Sequence, residues 1–337
     1  MSIEAIRVRA PGSLDTLFLD KLPDPGEPGP GEVLVRLTAS SLNYHDYAVV
    51  SGMIPATDGR IPMSDGAGIV VAVGPDVEAF SPGDQVVSLF FPEWIDGAPP
   101  QTSFRCVPGD GVDGYARQAV VAPASWFTRV PAGYSAAEAA TLTCAGLTAW
   151  RALFVDGQIK PGATVLVQGS GGVSVFALQF AKAVGARVIA TSSSDEKLDR
   201  LLALGADKVI NYKEHPDWGK RALELTGGKG VDTVVEIGGA GTLDQSMIAA
   251  CIGGHIAMIG ILAGVAGPVQ TRVLMGKSLR VQGLTVGSRV QQLDMISAIE
   301  ATGIRPIISD TFPLADLANA FRHQISGGHF GKIVVSI

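Results

Sequence analysis

Only three cysteines occur in the 337 residues, at positions 106, 144 and 251, far apart and without a CxxC pair. That spacing excludes a disulfide framework and a structural zinc site of closely set thiolates, and it fits a reducing compartment, so a cytoplasmic location is expected. Charge is also scarce, at 17% of residues, with a net charge of −6. Lys and Arg are scattered rather than clustered, so the electrostatic footprint of a nucleic-acid or acidic-membrane binder is missing. The expected partner is a small molecule, with no nucleic acid and no membrane. The opening MSIEAIRVRAPG mixes charges from Glu4 onward and lacks the apolar run of a secretory signal.

Two interior stretches, 161–181 and 245–271, contain no Lys, Arg, Asp or Glu. Each has roughly the length of a membrane helix. Both are broken by glycine groups (GSGG; CIGGH; ILAG), and no basic flank sets an orientation. Strands of a parallel sheet covered by helices on both faces produce the same uncharged runs.

What is present falls into three parts. Up to about residue 130, short β-like runs (IRVRA, EVLVRLTAS, GIVVAVG, DQVVSLF, QAVVAP) alternate with Pro/Gly turns such as PDPGEPGPGE, which predicts a β-rich, partly barrel-like domain. The stretch 90–113 is too rich in Gly, Pro and lone aromatics for a regular element and reads as a long ordered surface loop. After the helical composition of PAGYSAAEAATLTCAGLTAWRAL, strands ATVLVQG (163–169), RVIAT (187–191), KVINY (208–212), VDTVVEIGG (231–239) and HIAMIGIL (255–262) alternate with helical segments. That alternation predicts a doubly wound parallel sheet. From about 283 to 337 the character is mixed again. At this length two domains are the default.

The strongest signal is VLVQGSGGVSVFALQFAK (165–182). A strand ends in glycines where a helix begins, so unpaired backbone N–H groups and the positive end of the helix dipole face one spot, which suits a pyrophosphate. Gly169 permits the tight turn, Gly171 and Gly172 allow close backbone approach, and Ser170 and Val173 complete the cradle. The pattern departs from GxGxxG at Ser174, a residue still small enough for helix–sheet packing. A site preferring NAD carries Asp or Glu at the end of the second strand, about 20 residues on. Here that position is Ser192. With Ser193 as a second donor, Lys197 for charge and Tyr212 flanking, the reading favours NADP(H). Against it, Asp195 and Glu196 can cap the next helix or turn toward the ribose.

At these residues the chain resembles the medium-chain dehydrogenase/reductase superfamily. LNYHD (42–46), SDGAGIVVAVG (64–74), GDQVV (83–87), GYARQAVVAP (114–123), CAGLTAW (144–150), the glycine-rich segment, LGADKVINY (204–212) and HFGKIVV (329–335) fall in that family's order over nearly the whole length. The resemblance implies an α/β chain: a GroES-like β-rich catalytic domain from residues 1–130 and 283–337, with an inserted Rossmann domain, 131–282, holding a doubly wound parallel sheet. It also implies that Thr148 lies beside the nicotinamide, that Ile259, Gly260 and Ile261 lie near its ribose, and that Gly238 belongs to the cofactor site. Leu284 to Val286 are placed near the carboxamide. Pairing through the HIAMIGIL strand, near the sheet edge, implies a homodimer; burial of that apolar strand inside the monomer is the alternative.

The family divides into zinc alcohol dehydrogenases and zinc-free reductases of the quinone oxidoreductase type. Catalytic zinc needs three protein ligands and an open position. By motif alignment those positions hold Asn43, Ser64 and Cys144, and only Cys106 stands where the structural-zinc lobe would be. No metal is expected; an improvised site from Cys144, His45 and Asp65 is the competing reading. Cys144 itself reads as a packed, inert thiol.

Without a metal, catalysis rests on positioning, hydrogen bonds to a developing oxyanion and proton delivery. The candidates are Tyr44 as oxyanion donor or acid, with a wall residue as the alternative, and His45 as proton relay, with a satisfied histidine as the alternative. Asn43 is placed to orient substrate, and Asp65 is the better active-site candidate of the two acids Asp46 and Asp65. Phe90, Phe91 and Trp94 either cover the cleft or simply pack. The expected function is zinc-independent, NADP(H)-dependent hydride transfer to a small carbonyl, enone or quinone; a zinc-independent alcohol dehydrogenase and a non-catalytic dinucleotide-binding protein are the alternatives.

Overall fold

The structure, a computed structural model, describes residues 2–102 and 105–337. By contact it divides into two compact units, Met1–Leu147 with Val286–Ile337, and Thr148–Thr285. Sequence reading placed the boundaries at 130/131 and 282/283.

The first unit opens with an antiparallel hairpin, β1 (Ser2–Arg7) and β2 (Phe18–Pro23). β3 (Glu32–Ser41) buries Val33, Val35 and Leu37 at alternate positions, the signature of a strand with one face in the core. α1 (Tyr44–Val50) follows, then β4 (Ala67–Val73), β5 (Gln85–Ser88), β6 (Ala119–Pro123) and β7 (Phe127–Arg129). α2 (Ala136–Ala140) begins at a reciprocal cap: Glu138 N donates to Ser135 Oγ, and Ser135 N to Glu138 Oε2. α2 packs on β3 and β5, which is why residues 131–147 belong to this unit and not to the middle domain. The wide, π-type turn Leu142–Gly146 leads to α3 (Leu147–Trp150).

The second unit runs β8 (Thr164–Gln168), α4 (Gly172–Ala183), β9 (Arg187–Ser192), α5 (Asp195–Ala203), β10 (Lys208–Asn211), α6 (Trp218–Leu225), β11 (Val231–Glu236), α7 (Leu243–Ala249), β12 (Ala250–Met258), α8 (Thr271–Gly276) and β13 (Arg280–Gly283). All strands are parallel, in the order β10-β9-β8-β11-β12-β13. Every residue of β8 is buried, as a central strand covered on both faces requires. The uncharged runs are therefore sheet and helix. Among the described residues no helix is long and apolar enough to cross a membrane.

One detail differs from the sequence reading. The strand expected at 255–262 spans 250–258 instead: Ile259 N–H makes the last bond to Glu236 O of β11, and Gly260 N–H turns back to the same oxygen. The strand lies next to the sheet edge, which β13 forms.

The chain then returns to the first unit. α9 (Arg289–Thr302) begins at the reciprocal pair Ser288 and Gln291 and ends at Gly303 in the left-handed region. β14 (Ile308–Pro313), α10 (Leu317–Ser326) and β15 (Lys332–Ser336) complete a seven-stranded sheet, β14-β15-β3-β4-β5-β7, with β6 paired to β3. The 90–113 segment forms no strand or α-helix among its described residues, and residues 103 and 104 lie outside them. Phe90, Phe91 and Trp94 are buried and pack against one another.

Candidate active site

The first unit gathers the polar residues of the LNYHD and MSDGAG motifs into one buried network. Asn43 caps α1, its N–H donating to Asp46 Oδ2 at 3.0 Å and its Nδ2 to the same oxygen at 3.1 Å. Asp46 Oδ1 accepts from Ser64 N at 2.8 Å, tying the two motifs together. From β15, Lys332 Nζ donates to Asn43 Oδ1 at 2.6 Å and to Leu42 O at 2.5 Å. Asp65, fully buried, accepts from Ser41 Oγ at 2.6 Å and lies 3.7 Å from Lys332 Nζ. Burial pushes the Asp65 carboxyl above its ordinary range; Lys332 opposes that shift and Asp46 adds to it.

This arrangement alters two expectations. Asn43 spends both ends of its amide inside the network and is only 7% exposed, so it is not turned out to orient a substrate. His45 sets Nε2 3.3 Å from Asp110 Oδ2 and Nδ1 3.9 Å from Asp46 Oδ1, so both ring nitrogens face carboxylates. Burial disfavours the charged ring, but the hydrogen bond to Asp110 and the nearby Asp46 carboxylate outweigh it and raise its pKa to about 9. Tyr44, at the start of α1, is exposed. Asp110 escaped sequence reading; the only signal was its place in the long loop. Cys144 sits half-buried in the π-type turn and forms no disulfide.

In the second unit the glycine-rich turn joins β8 to α4. Gly169 takes φ +73°, a conformation few side chains tolerate, and its N–H donates to Thr191 O of β9. A Cβ at Gly171 would meet nothing within 4 Å, which leaves room for a ligand against the first turn of α4. Ser174, at the departure from GxGxxG, is buried and returns its hydroxyl to Gln168 O at 2.5 Å. It thus replaces close glycine packing with a hydrogen bond that fixes the helix on its strand.

The other expected cofactor residues lie at the carboxyl ends of the same sheet. Ser192 ends β9, buried, its Oγ accepting from Ser194 N; Ser193 and Lys197 follow half-buried. Tyr212, exposed, is tied to Ser192 O through its N–H. Asp195 accepts from Asn211 Nδ2 at 2.8 Å. Gly238 follows β11, Ile259 to Ile261 follow β12, and Leu284 follows β13, donating to Met258 O. The crevice between β8 and β11, where strand order reverses, is where doubly wound sheets bind ligands. Thr148 is buried in α3. Val286 falls in the first unit, at φ +41°.

A second residue missed in the sequence organises this crevice. Glu236, fully buried at the end of β11, accepts from Gln168 Nε2 at 2.7 Å, Gly238 N at 2.7 Å, Gly239 N at 3.0 Å, Thr242 Oγ1 at 2.6 Å and also Ser246 Oγ. A buried carboxylate persists only with such a set of donors. The signal available was an acid closing the VDTVVE strand after two valines.

Two family models match the chain: the alcohol dehydrogenase GroES-like domain over residues 29–132 and the zinc-binding dehydrogenase over 172–301. A zinc-type alcohol dehydrogenase-like protein of Schizosaccharomyces pombe is 43% identical, covering 96% of each chain. Among solved structures, an NAD-dependent alcohol dehydrogenase is 35% identical over 99% of both chains with a TM-score of 0.90. A mycobacterial protein complexed with NADPH is 30% identical over 100% of both, with a TM-score of 0.83.

The zinc that one model's description implies does not fit the residues here. Asn43 and Ser64 are bound into the network, and among the described residues no group of three or more His, Cys, Asp or Glu is placed to hold a metal ion. That includes the combination of Cys144, His45 and Asp65. The β8–α4 turn, by contrast, suits a dinucleotide. Fold, glycine-rich turn and relatives agree: the chain belongs to the medium-chain dehydrogenase/reductase superfamily, oxidoreductases that work with a nicotinamide dinucleotide.

Proposed function

We propose that the protein is a zinc-independent oxidoreductase that uses NADP(H) to transfer hydride to a small carbonyl, enone or quinone. The observation that carries this reading is the closed network around Asn43, in which Lys332, Asp46 and Ser64 occupy the bonding capacity a first metal ligand would need. Without a Lewis acid the acceptor must take hydride readily, which suits conjugated or activated carbonyls better than simple alcohols.

NADP(H) is favoured because β9 ends in Ser192 with no carboxylate, and because Asp195 is engaged by Asn211. Ser193, Lys197 and Tyr212 are the residues to receive a 2′-phosphate. Gly169, Ser170, Gly171, Gly172 and Val173 hold the pyrophosphate; Thr148, Gly238, Ile259, Gly260, Ile261, Leu284 and Val286 line the nicotinamide end. The bound cofactor supplies the hydride. Tyr44, exposed beside His45, is the group available to donate a hydrogen bond to the acceptor's oxygen; His45, Asn43 and Asp65 set the charge and shape around it.

The reading includes a cytoplasmic homodimer. Exposed apolar side chains in the second unit, among them Ile252, Leu262, Val265 and Met275, support the dimer, and light scattering on the purified protein tests it.

Nicotinamide fluorescence titration with NADPH and NADH, after metal analysis of the same sample, tests the whole reading. Tighter binding of NADPH, zinc far below stoichiometric, and turnover of an enone or quinone are expected. Stoichiometric zinc with alcohol turnover would instead establish the alcohol dehydrogenase suggested by the relatives' names, and binding without any turnover a non-catalytic dinucleotide-binding protein.

A further inference from the structure

The long segment 90–113 is fixed to the first unit at several points, and two of its residues converge on one side chain. Near its start, Trp94 O and Ile95 O accept from Arg289 N and Val290 N in the first turn of α9. From there a ladder of rings leads inward: Trp94 to Phe91 at 5.9 Å, Phe91 to Phe90 at 4.8 Å, and Phe90, edge-on, to His45 at 5.2 Å between centroids. Near its end, Gly109 packs its α-carbon against the backbone of Met63, where a Cβ would fall 2.7 Å from Met63 N. Gly109 also takes φ +87°, so only glycine fits. That contact sets the next residue, Asp110, with Oδ2 3.3 Å from His45 Nε2.

We propose that Asp110 is a positioning residue of this oxidoreductase: with Phe90 it clamps the His45 imidazolium in one orientation, as a fixed positive charge for the negative charge that develops on the acceptor's oxygen. This rests on the proposed function, which puts His45 beside the acceptor. As hydride reaches the acceptor, the π pair moves to oxygen; His45 faces that charge and keeps its proton, and Tyr44 or water supplies the proton that oxygen finally takes. The charged groups bearing on the ring are Asp110 from the loop and Asp46 from its own helix; Phe90 is the uncharged third wall. Two carboxylates against one imidazole keep it protonated at neutral pH. Nothing in LNYHD indicates this, because Asp110 lies 65 residues from His45 in sequence.

The test is Asp110→Asn, with Asp110→Glu as the conservative rescue and as the second variant should the first fold poorly. His45 is followed by the NMR titration of its Cε1 proton, and kcat/KM for an enone by its pH profile. In Asp110→Asn the His45 midpoint should fall by about one to three pH units, the alkaline limb of kcat/KM should fall with it, and NADPH affinity should stay unchanged. Asp110→Glu should restore both. An unmoved His45 midpoint overturns the clamp, whatever the activity. A midpoint that falls while the pH profile stays fixed overturns its role in the reaction and leaves the proposed function standing. If the wild type reduces no enone, quinone or carbonyl, the proposed function fails, and with it the role in the reaction, while the NMR titration still reads the clamp.

Discussion

The Lys332 ammonium, carried on β15, lies 2.6 Å from Asn43 Oδ1 at the start of α1, and both residues are buried. The contact joins the end of the chain to the LNYHD motif. It also orients the Asn43 amide: with the oxygen held by Lys332, the nitrogen must face Asp46 and Ser64.

Among the described residues of this network, Lys332 is the cation facing the buried acid Asp65. Lys332→Met keeps the length of the side chain and removes the charge, leaving a buried carboxylate uncompensated and Asn43 Oδ1 without its donor. Breaking a buried pair in this way costs about 3–5 kcal/mol. The urea midpoint should fall accordingly; a loss below about 1 kcal/mol would mean that Asp65 takes up a proton and tolerates the change. The double variant Lys332→Met/Asp65→Asn should recover part of the loss.

The two arms of the molecule were not equally legible from sequence. In the second unit, periodicity and the glycine-rich turn are local signals: strand, turn and helix follow one another within 165–182, and the structure keeps that order. The first unit's network is non-local. Lys332 and Asn43 are 289 positions apart, and HFGKIVV reads simply as a terminal strand. The division by contact falls at 147/148 and not at 130/131 for a similar reason: the cap at Ser135 and Glu138 marks a helix but says nothing of which sheet α2 packs on. The engagement of the Asn43 amide was hidden too: residue type shows bonding capacity, whereas only the fold shows where that capacity is spent.

Gly171 and Gly169 make opposite predictions in one turn. Gly171 has φ −78° as the cap of α4 and open space at its Cβ position, so Gly171→Asp should leave stability within about 0.5 kcal/mol of wild type. The new carboxylate would occupy the anion's place, and NADPH affinity should fall at least about tenfold. Gly169→Ala adds no charge but forces a side chain into φ +73° and should cost about 1–2 kcal/mol. Thermal unfolding with and without NADPH separates the two effects. Equal NADPH affinity in Gly171→Asp and wild type would move the pyrophosphate elsewhere.

Glu236 offers a sharper test of the crevice. Its carboxylate receives hydrogen bonds from Gln168, Gly238, Gly239, Thr242 and Ser246. In Glu236→Gln an amide group with two N–H donors faces a ring of donors, so at least one bond is lost and one clash gained. The expected loss is about 2 kcal/mol or more. Because Gly238 and Gly239 are held directly, the KM for NADPH should rise more than kcat falls. A variant as stable as wild type would show that these hydrogen bonds do not hold the crevice together.

His255 makes the pH prediction in the second unit. Arg280 Nε donates to its Nδ1 at 3.0 Å, and a guanidinium only donates, so the ring is neutral with its proton on Nε2. Burial, and then the Arg280 charge, lower its pKa from 6.5 to about 4. The folded value lies below the unfolded one, so between pH 6.5 and 4 the unfolded chain binds the extra proton. The stability His255 contributes is then present above the unfolded pKa and lost as pH falls through this window, by up to about 3 kcal/mol. Asp65 works in the opposite sense, its raised pKa favouring the folded state as pH falls, so wild-type stability alone does not isolate His255. His255→Gln does: Gln keeps an acceptor for Arg280 and cannot titrate. Urea midpoints at pH 7 and pH 5 should show the wild type losing more stability than the variant on acidification. If the variant loses as much as wild type, His255 is already accessible to protons and its burial is not what shifts it.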